Sequence, residues 1–232
     1  MPVLKPQTVV ITGASSGLGE ALALAYATSG RTLLLIARNE DRLSAVAQRC
    51  RDQGASVETA VSDTTDAATI ATVVTGFDAK SPIDLLIANA GIYLAHGPNG
   101  QMESTADIAT QVSTNLIGTA NVVHPTVQLM RARKRGHIAI VSSLAALQPL
   151  ADAPGYSASK AGLLSYGEAL QEFLIPDKIR VSMVYPGHIE TAQVLGHVGN
   201  LPHIMKPTDA AARIKRGLDA GRTTIALSLI HI

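Results

Sequence analysis

The chain alternates between short apolar runs and longer stretches that mix alanine with polar residues. The apolar runs are rich in β-branched residues and leucine, and most are apolar at consecutive positions. Consecutive apolar positions are typical of strands buried on both faces of a parallel sheet. The predicted strands are Thr8–Ile11, Thr32–Ala37, Ser56–Val61, Ile83–Ala88, His137–Ser142, Arg180–Val184 and Thr223–Leu227.

The stretches between these runs predict helices, so strands and helices alternate along the chain. Such alternation is typical of parallel βαβ units. We therefore predict an α/β fold, a three-layer doubly wound parallel sheet of about seven strands with helices on both faces, formed by residues 1–232 as a single domain. The predicted helices cover residues 17–29, 40–53, 65–79, 104–132, 157–174 and 208–220.

Composition excludes several classes of protein. Apolar residues make up 47% of the chain, and 19 Lys and Arg balance 18 Asp and Glu, so neither a disordered chain nor a nucleic-acid binder is indicated. One cysteine, Cys50, permits no internal disulfide. We find no signal peptide and no apolar run long enough to span a membrane, and we expect a cytoplasmic protein. The seven histidines show no metal-ligand spacing, so no metal site is predicted.

A glycine-rich turn follows the first predicted strand and opens the first helix. It contains Gly13, Gly17 and Gly19 within the segment Thr12–Gly19. Glycines permit a tight turn and close approach of the backbone to a pyrophosphate, and a helix N-terminus offers unpaired N–H groups. The alternative, glycines that serve packing alone, is weaker because the strand, the helix and the position agree.

The spacing of this turn, G-x-x-x-G-x-G, and later motifs resemble the short-chain dehydrogenase/reductase family, in its single-domain branch. The resemblance covers about residues 7–227, with the motifs in family order, and it implies a Rossmann NAD(P)-binding domain. The later motifs are Asn89-Ala90-Gly91, Asn115, Ser143, the Y-x-x-x-K pattern of Tyr156 and Lys160, and the P-G-x-x-x-T pattern from Pro186 to Thr191.

The Y-x-x-x-K pattern can also be read chemically. Tyr156 and Lys160 are four residues apart, so a helix places them on one face. A free tyrosine has a pKa of about 10, and a neighbouring ammonium favours the phenolate. We therefore expect Lys160 to lower the pKa of Tyr156 and make it a proton donor or acceptor for a carbonyl or alcohol.

The resemblance implies three further catalytic assignments. Ser143, rather than Ser142, would hold the substrate oxygen, Asn115 would bind a backbone carbonyl or water in a proton relay, and Lys160 would also bind the ribose hydroxyls. Two structural alternatives stay open: Ser143 as the cap of the next loop, and Asn115 as a polar residue tolerated in a helix. The predicted catalytic residues are thus Asn115, Ser143, Tyr156 and Lys160.

The resemblance also implies a set of dinucleotide-binding residues. Asp63 would lie near the adenine, although an ordinary turn or N-cap aspartate is a serious alternative. Asn89 would lie beside the ribose, and Thr191 would bind the carboxamide or a phosphate. The complete set is Gly13, Ser15, Ser16, Gly17, Leu18, Gly19, Arg38, Asp63, Asn89, Ala90, Gly91, Tyr156, Lys160, Pro186, Gly187, Ile189 and Thr191.

The choice between NADP and NAD depends on the end of the second strand. Ala37 stands where an NAD site would carry an acid, and Arg38 follows it. A guanidinium can pair with the 2′-phosphate of NADP, so we favour NADP(H) and leave NAD open. Glu40 and Asp41 are expected in the first turn of the next helix, with Asn39 as its N-cap.

These assignments predict an NADP(H)-dependent oxidoreductase that transfers hydride to or from a small, apolar carbonyl or alcohol substrate. A non-catalytic dinucleotide-binding regulator on the same fold is the alternative, and a sugar-nucleotide epimerase would need a longer chain. The resemblance implies a homodimer or homotetramer through helices 104–132 and 157–174. The predicted pocket is lined by residues 93–100, 144–153 and 188–205, and the long loop His188–Lys206 suggests function.

The C-terminal sequence Leu227–Ile232 carries a separate hypothesis. It is also the translation of CTG TCT CTT ATA CAC ATC, a transposase end sequence used in shotgun libraries. We hypothesise that these residues are partly read-through and that the natural C-terminus is missing. A short natural tail is the alternative.

Overall fold

A computed structural model of the chain describes residues 5–94, 103–191 and 204–227. Its described strands form one parallel sheet of seven strands in the order β3-β2-β1-β4-β5-β6-β7, which confirms the predicted fold class. The observed and predicted strand ends differ by no more than two residues. The strands are β1 Thr8–Thr12, β2 Thr32–Ala37, β3 Ser56–Val61, β4 Leu85–Ala88, β5 Gly136–Val141, β6 Ile179–Tyr185 and β7 Thr224–Ala226.

Helices cover both faces of the sheet, which explains the consecutive apolar positions of the strands. Val9 and Ile11 of β1 pack into one core, whereas Val10 between them packs into the other. Helices α1, α2 and α7 close the first core, and α3, α5 and α6 close the second. The helices are α1 Gly17–Tyr26, α2 Glu40–Asp52, α3 Ala67–Asp78, α4 Thr105–Val112, α5 Gly118–Arg133, α6 Pro154–Phe173 and α7 Pro207–Asp219. In the described part of the chain, none of these helices combines the length and hydropathy needed to cross a bilayer.

Two helices differ from their predictions in ways that matter for the site. The helix predicted over 104–132 is divided by a π-helical turn, Ser113–Ile117, which joins α4 to α5. Helix α6 begins at Pro154 instead of residue 157. Proline suits the first helical position because it lacks the N–H that would find no acceptor there. Tyr156 therefore lies in the first turn of α6.

The direction in which successive strands are added to the parallel sheet reverses between β1 and β4. From β1 the sheet grows through β2 to β3 on one side, and from β4 it grows to β7 on the other. In open α/β sheets, a crevice forms outside the carboxyl ends of the strands at such a switch point. The segments that follow β1, β4, β5 and β6 therefore meet at one place.

The long loop after β6 is closed at its base by backbone pairing. Ile189 and Met205 form an isolated parallel bridge, in which Glu190 N–H donates to the Met205 carbonyl at 2.9 Å. Residues 95–100 and 192–203 of the predicted pocket lie outside the described residues. At the C-terminal end, Leu227 is buried and its N–H donates to the Tyr185 carbonyl at 3.2 Å, while residues 228–232 lie outside the described part.

A group of hydrogen-bonded polar residues links β5, β6 and the segment before β7, away from the carboxyl ends of the strands. Ser182 Oγ donates to the Arg222 carbonyl at 2.5 Å and lies 2.8 Å from His137 Nε2. A hydroxyl has one hydrogen, so His137 must donate to Ser182 from Nε2 as a neutral imidazole. Burial, together with the charge of Arg180, lowers the pKa of His137 to about 4.

This histidine makes stability depend on pH in a defined window. Unfolded histidine has a pKa of about 6.5, so below that pH the unfolded chain binds a proton at His137 and the folded protein does not. The free energy of unfolding should therefore fall as the pH drops from about 6.5 towards 4, by at most roughly 1.4 kcal/mol per pH unit. Urea unfolding at several pH values measures this slope.

The variant His137→Gln should remove most of that slope, at some cost in stability at pH 7.5. The exposed His124 offers a matched control, because His124→Gln should keep the parental slope. An unchanged slope in His137→Gln would contradict the assignment.

Candidate active site

The two halves of the sheet are tied together at the switch point by Thr12 and Asn89. Thr12 Oγ1 accepts hydrogen bonds from the N–H groups of Asn89 and Ala90, both at 3.0 Å. Asn89 Nδ2 returns a hydrogen bond to the Thr12 carbonyl at 3.0 Å. These bonds fix the end of β4 against the start of the glycine-rich turn.

The glycine-rich turn has the conformation and the packing that only glycine allows. Gly13 and Gly17 have φ of +66° and +57°, in the left-handed region that other residues rarely enter. A Cβ on Gly19 would collide with the Gly13 carbonyl oxygen, so the helix packs directly on the turn. Ser16, the N-cap of α1, makes no side-chain capping bond. A phosphate therefore fits this turn, because the first N–H groups of α1 have no side-chain cap.

The segment after β6 closes over the same turn. A Cβ on Gly17 would lie 2.9 Å from Thr191 Cγ2, so Thr191 packs on the glycine turn. Leu144 N–H donates to the Pro186 carbonyl at 3.0 Å, which joins this segment to the end of β5. The structure thus brings the other predicted dinucleotide-binding residues to the loops at this edge of the sheet and to the first turn of α1, with Leu18, Pro186 and Ile189 buried, Ser15, Ala90 and Gly187 half-buried, and Ser16 exposed.

Tyr156, Ser143 and Lys160 meet at the end of β5. The Ser143 hydroxyl lies close enough to the Tyr156 phenol to act on its pKa. Lys160 is buried; its Nζ lies 5.7 Å from the centroid of the Tyr156 ring and donates to the Val141 carbonyl at 3.2 Å. Ser142 Oγ donates to the Lys160 carbonyl at 2.9 Å, which fixes α6 against the strand.

The pKa of Tyr156 departs from the sequence-based expectation. Burial raises this pKa, and the nearby Ser143 hydroxyl opposes that rise only in part. The expected lowering by Lys160 was wrong for this geometry, since the ammonium lies over the ring and bonds to Val141 instead of to the phenol. Burial also lowers the pKa of Lys160 to about 8. Tyr156 is therefore a protonated phenol at neutral pH, beside a lysine that is mostly charged.

Asn115 lies in the π-helical turn and binds the segment after β4. Its Nδ2 donates to the Ile92 carbonyl at 3.0 Å and to Ser159 Oγ at 2.9 Å, and its Oδ1 accepts from Ile92 N–H at 2.7 Å. A Cβ on Gly91 would lie 3.1 Å from Asn115 Oδ1 and 3.3 Å from Lys160 Nζ. A side chain at position 91 would therefore crowd both Asn115 and Lys160. The backbone-carbonyl contact is present, and the proton relay stays a prediction.

Ser143 acts as the cap of the next turn, which is one of the two interpretations that the sequence left open. Its Oγ accepts from Ala145 N–H at 3.1 Å and so caps a short 3₁₀ turn, Leu144–Ala146. The cap holds the same hydroxyl near the Tyr156 phenol. The role of Ser143 at the substrate oxygen stays a prediction.

Arg38 and Asp63 lie at the carboxyl ends of β2 and β3. Arg38 Nη1 is 3.4 Å from Asp63 Oδ2, and 64% of the Arg38 side chain is exposed. Asp63 Oδ1 accepts from the N–H and hydroxyl of Thr65, so it is also the turn aspartate of the alternative interpretation. Asn39 caps α2 by accepting from Arg42 N–H at 2.9 Å.

Three residues near Tyr156 are absent from the predicted catalytic and dinucleotide-binding residues, although Tyr93 belongs to the predicted pocket segment 93–100. Tyr93 packs edge-on against Tyr156, with ring centroids 5.0 Å apart and an angle of 83° between the planes. Burial, followed by the charge of Asp152, raises the pKa of Tyr93 to about 12. Glu103 and Gln111 are buried and hydrogen-bonded to each other. The sequence contains one signal for Glu103 and Gln111. Ala153, the N-cap of α6, has no side-chain acceptor, so the first N–H groups of this helix require an acceptor from elsewhere in the chain.

Comparison with known proteins gives concordant results. The family model for short chain dehydrogenase matches residues 7–197. An uncharacterized oxidoreductase of Myxococcus xanthus is 31% identical over 97% of this chain and 89% of its own length. A 3-dehydrosphinganine reductase of Arabidopsis thaliana is 31% identical over 98% of this chain and 71% of its own length. A short-chain dehydrogenase from Sphingobium yanoikuyae, solved in complex with NADPH, superposes with a TM-score of 0.86 at 29% identity, over 97% of this chain and 88% of that one.

Proposed function

Because the chain belongs to the short-chain dehydrogenase family and is therefore an oxidoreductase, we propose that it reduces the carbonyl group of a small apolar substrate with NADPH, in a reaction that can run in reverse. The observation that carries this proposal is the grouping of the Tyr156 and Ser143 hydroxyls beside a buried Lys160. The alternative of a non-catalytic regulator has no support, since the family is one of oxidoreductases.

Tyr156 and Ser143 divide the work at the substrate oxygen. The two hydroxyl groups are neighbours, so a carbonyl oxygen placed between them can accept a hydrogen bond from each. Ser143 would stabilise the charge that develops on this oxygen, and Tyr156 would give it a proton. The bound nicotinamide would supply the hydride to the carbonyl carbon. Because its pKa is raised, Tyr156 holds the proton that reduction requires.

Lys160 and Asn115 would return the proton to Tyr156. Lys160 carries a charge at neutral pH, so its ammonium would stabilise the phenolate left after proton transfer. Its Nζ and the Asn115 side chain flank Gly91, and Asn115 holds the Ile92 carbonyl. A water bound at that carbonyl would complete the relay that the family resemblance implies.

The cradle at the carboxyl ends of β1, β2 and β4 would hold the dinucleotide. The glycine turn would hold the pyrophosphate, and the exposed guanidinium of Arg38 would pair with a 2′-phosphate. The Asp63 carboxylate lies against Arg38, so it would orient the guanidinium and partly neutralise its positive charge. The NADPH bound to the Sphingobium yanoikuyae relative supports NADP(H), and NAD remains the alternative.

An apolar substrate is supported by the residues that follow Ser143. Leu147 is 47% exposed, and Leu144 and Leu150 are half-buried in the same short segment. A large aliphatic side chain exposed next to a polar catalytic group favours a substrate with a hydrocarbon portion. The similarity to a 3-dehydrosphinganine reductase supports reduction of such a substrate.

We also propose that the protein forms a homodimer or homotetramer through α6. Ala158, Ser165 and Ala169 lie exposed along this helix and would allow close approach of a second copy. Gly162 lies on the same helix but does not belong to that surface. A Cβ at this position would lie 2.8 Å from Leu116 Cδ2 of the same chain. The proposal rests mainly on the family resemblance.

Removal of the Tyr156 hydroxyl tests the proposed chemistry. Tyr156→Phe keeps the ring and its contact with Tyr93, so NADPH binding should stay within a few-fold of the parent. Turnover should fall by about 10²–10⁴, the usual value of general acid–base catalysis. NADPH oxidation at 340 nm with a panel of ketones and aldehydes gives turnover, and fluorescence titration gives binding.

Tyr166→Phe is the matched control, since Tyr166 lies on the same helix and should tolerate the change. Ser143→Ala should lower turnover with NADPH affinity kept, and Lys160→Ala should damage both. Near-parental turnover in a Tyr156→Phe protein that binds NADPH would eliminate this mechanism.

Cofactor preference should depend on Arg38. Loss of a charge-assisted contact costs roughly 1.5–3 kcal/mol, which corresponds to about a ten- to hundred-fold change in affinity. Arg38→Ala should weaken NADPH binding by that factor and leave NADH nearly unchanged. Arg49→Ala, on the same side of the protein but paired with Glu20, should change neither. Tighter binding of NADH than NADPH by the parent protein would refute the assignment.

The oligomeric state can be measured directly. Light scattering at micromolar concentration should give a dimer or tetramer, and Ala169→Arg on α6 should shift it to a smaller species. Ala68→Arg on the exposed face of α3 should have no such effect. A monomeric parent protein would count against assembly through α6.

A further inference from the structure

Helix α6, which carries Tyr156, begins without a local cap. Its N-cap residue is Ala153, whose side chain has no acceptor. Pro154 has no N–H, and Ser157 N–H already reaches the Ala153 carbonyl at 3.0 Å. The N–H groups of Gly155 and Tyr156 are therefore the two that need an acceptor from outside the helix.

Glu103 supplies that acceptor from a distant part of the chain. Its Oε2 accepts from Gly155 N–H, and its Oε1 accepts from Tyr156 N–H at 3.3 Å. Only 5% of Glu103 is exposed. A Cβ on Gly155 would lie 2.9 Å from Oε2, so the carboxylate packs directly on the first turn. A buried carboxylate here also suits the positive end of the helix dipole.

Gln111 extends this contact to the segment after β4. Gln111 is fully buried; its Nε2 donates to Glu103 Oε1 at 2.7 Å, and its Oε1 accepts from Leu94 N–H at 3.1 Å. Asn115 holds Ile92 in the same segment. Tyr93, between Ile92 and Leu94, is thereby held with its ring edge-on to Tyr156.

We propose that Glu103, together with Gln111, is a positioning residue for the reaction: it fixes the backbone of Tyr156 and, through Leu94, the ring of Tyr93 that packs on the phenol. Neither residue touches the substrate oxygen. This inference rests on the proposed reductase activity, in which Tyr156 is the proton donor. Its consequence is that disturbing Glu103 displaces the phenol from Ser143 while the glycine turn is left intact.

The first test is Glu103→Gln. An amide has one oxygen for the three N–H groups that the carboxylate accepts, so at least one donor must face another donor. Displacement of a reacting group by about 1 Å can cost up to 10²-fold in rate. We expect kcat to fall by about ten- to hundred-fold, with little change in NADPH affinity or in KM.

Gln111→Glu provides the reciprocal single change. It places two carboxylates at the present 2.7 Å contact between residues 103 and 111. Like charges at that distance repel unless one of them is protonated. We therefore expect lower activity at neutral pH and partial recovery as the pH is lowered.

The exchanged pair, Glu103→Gln with Gln111→Glu, is the decisive variant. Gln at 103 can accept from Gly155 on its oxygen and donate its amide to Glu at 111, and a small rotation of the amide lets the same oxygen accept from Tyr156, whose N–H reaches the other carboxylate oxygen in the parent. That Glu can accept from Leu94 as well, so every hydrogen bond of the network is restored with the charge moved. We expect kcat to return to within about threefold of the parent, a coupling that two independent structural changes would not show.

Ser104→Ala is the matched control for loss of a helix cap. Ser104 Oγ accepts from Asp107 N–H at 3.1 Å and caps α4, next to Glu103 in sequence but away from Tyr156. This variant should lower the melting temperature and leave kcat within about twofold of the parent. A rate loss in Ser104→Ala as large as that in Glu103→Gln would show that general destabilisation explains both.

Hydrogen exchange separates this inference from the proposed function, because it needs no substrate. The amides of Gly155 and Tyr156, observed by NMR, should exchange faster in Glu103→Gln and return to the parental rate in the exchanged pair. If the parent reduces no carbonyl compound, the proposed function fails, and exchange alone still decides whether Glu103 holds the start of α6.

Two results would overturn the proposal. One is parental kcat, or parental exchange at Gly155 and Tyr156, in Glu103→Gln. The other is an exchanged pair that is no more active than the worse single variant. If Glu103→Gln does not fold, a folded and active exchanged pair still supports the proposal, and an unfolded one refutes it.

Discussion

The parallel pairing of β1 with β4 is the constraint on which the site depends. Because all seven described strands run the same way, their carboxyl ends meet at one edge, and the reversal of order between β1 and β4 opens a crevice there. Thr12 makes two hydrogen bonds with Asn89 and one with Ala90 across this junction. The glycine turn, Asn115, Ser143, Tyr156 and Thr191 therefore converge although they are far apart in sequence.

Around that junction, buried side-chain amides and carboxylates satisfy backbone that regular secondary structure leaves unpaired. Asn115 pairs with both polar groups of Ile92, Gln111 takes the N–H of Leu94, and Glu103 takes those of Gly155 and Tyr156. A buried donor without an acceptor costs about 1–3 kcal/mol, so each of these contacts is needed for the irregular segment to stay in place. The predicted catalytic residues thus owe their positions to polar contacts in a mostly apolar interior.

The sequence was sufficient for features that depend on local pattern. Strands buried on both faces are visible as consecutive apolar residues, and the Asn39 cap follows from its position before Glu40 and Asp41. It was insufficient where a distant group decides. Ile83 is apolar and buried, yet it lies outside β4, since its N–H donates to Asp78 Oδ1 and its carbonyl accepts from Arg133 Nη2. The rise in the pKa of Tyr156 comes from its burial, and the spacing to Lys160 contains no information on that.

The π-helical turn between α4 and α5 has a consequence for changes in chain length. A π turn holds one residue more than an α turn, so it rotates the helix that follows by about 100° relative to the helix before it. Gln111 precedes the turn, Asn115 lies within it, and the buried face of α5 follows. Deleting a single residue between Gln111 and Gly118 would convert the turn to an ordinary α-helix without breaking its backbone ladder. The protein would keep a continuous helix, but either Gln111 or the apolar face of α5 would point the wrong way, so this stretch should tolerate substitution far better than deletion.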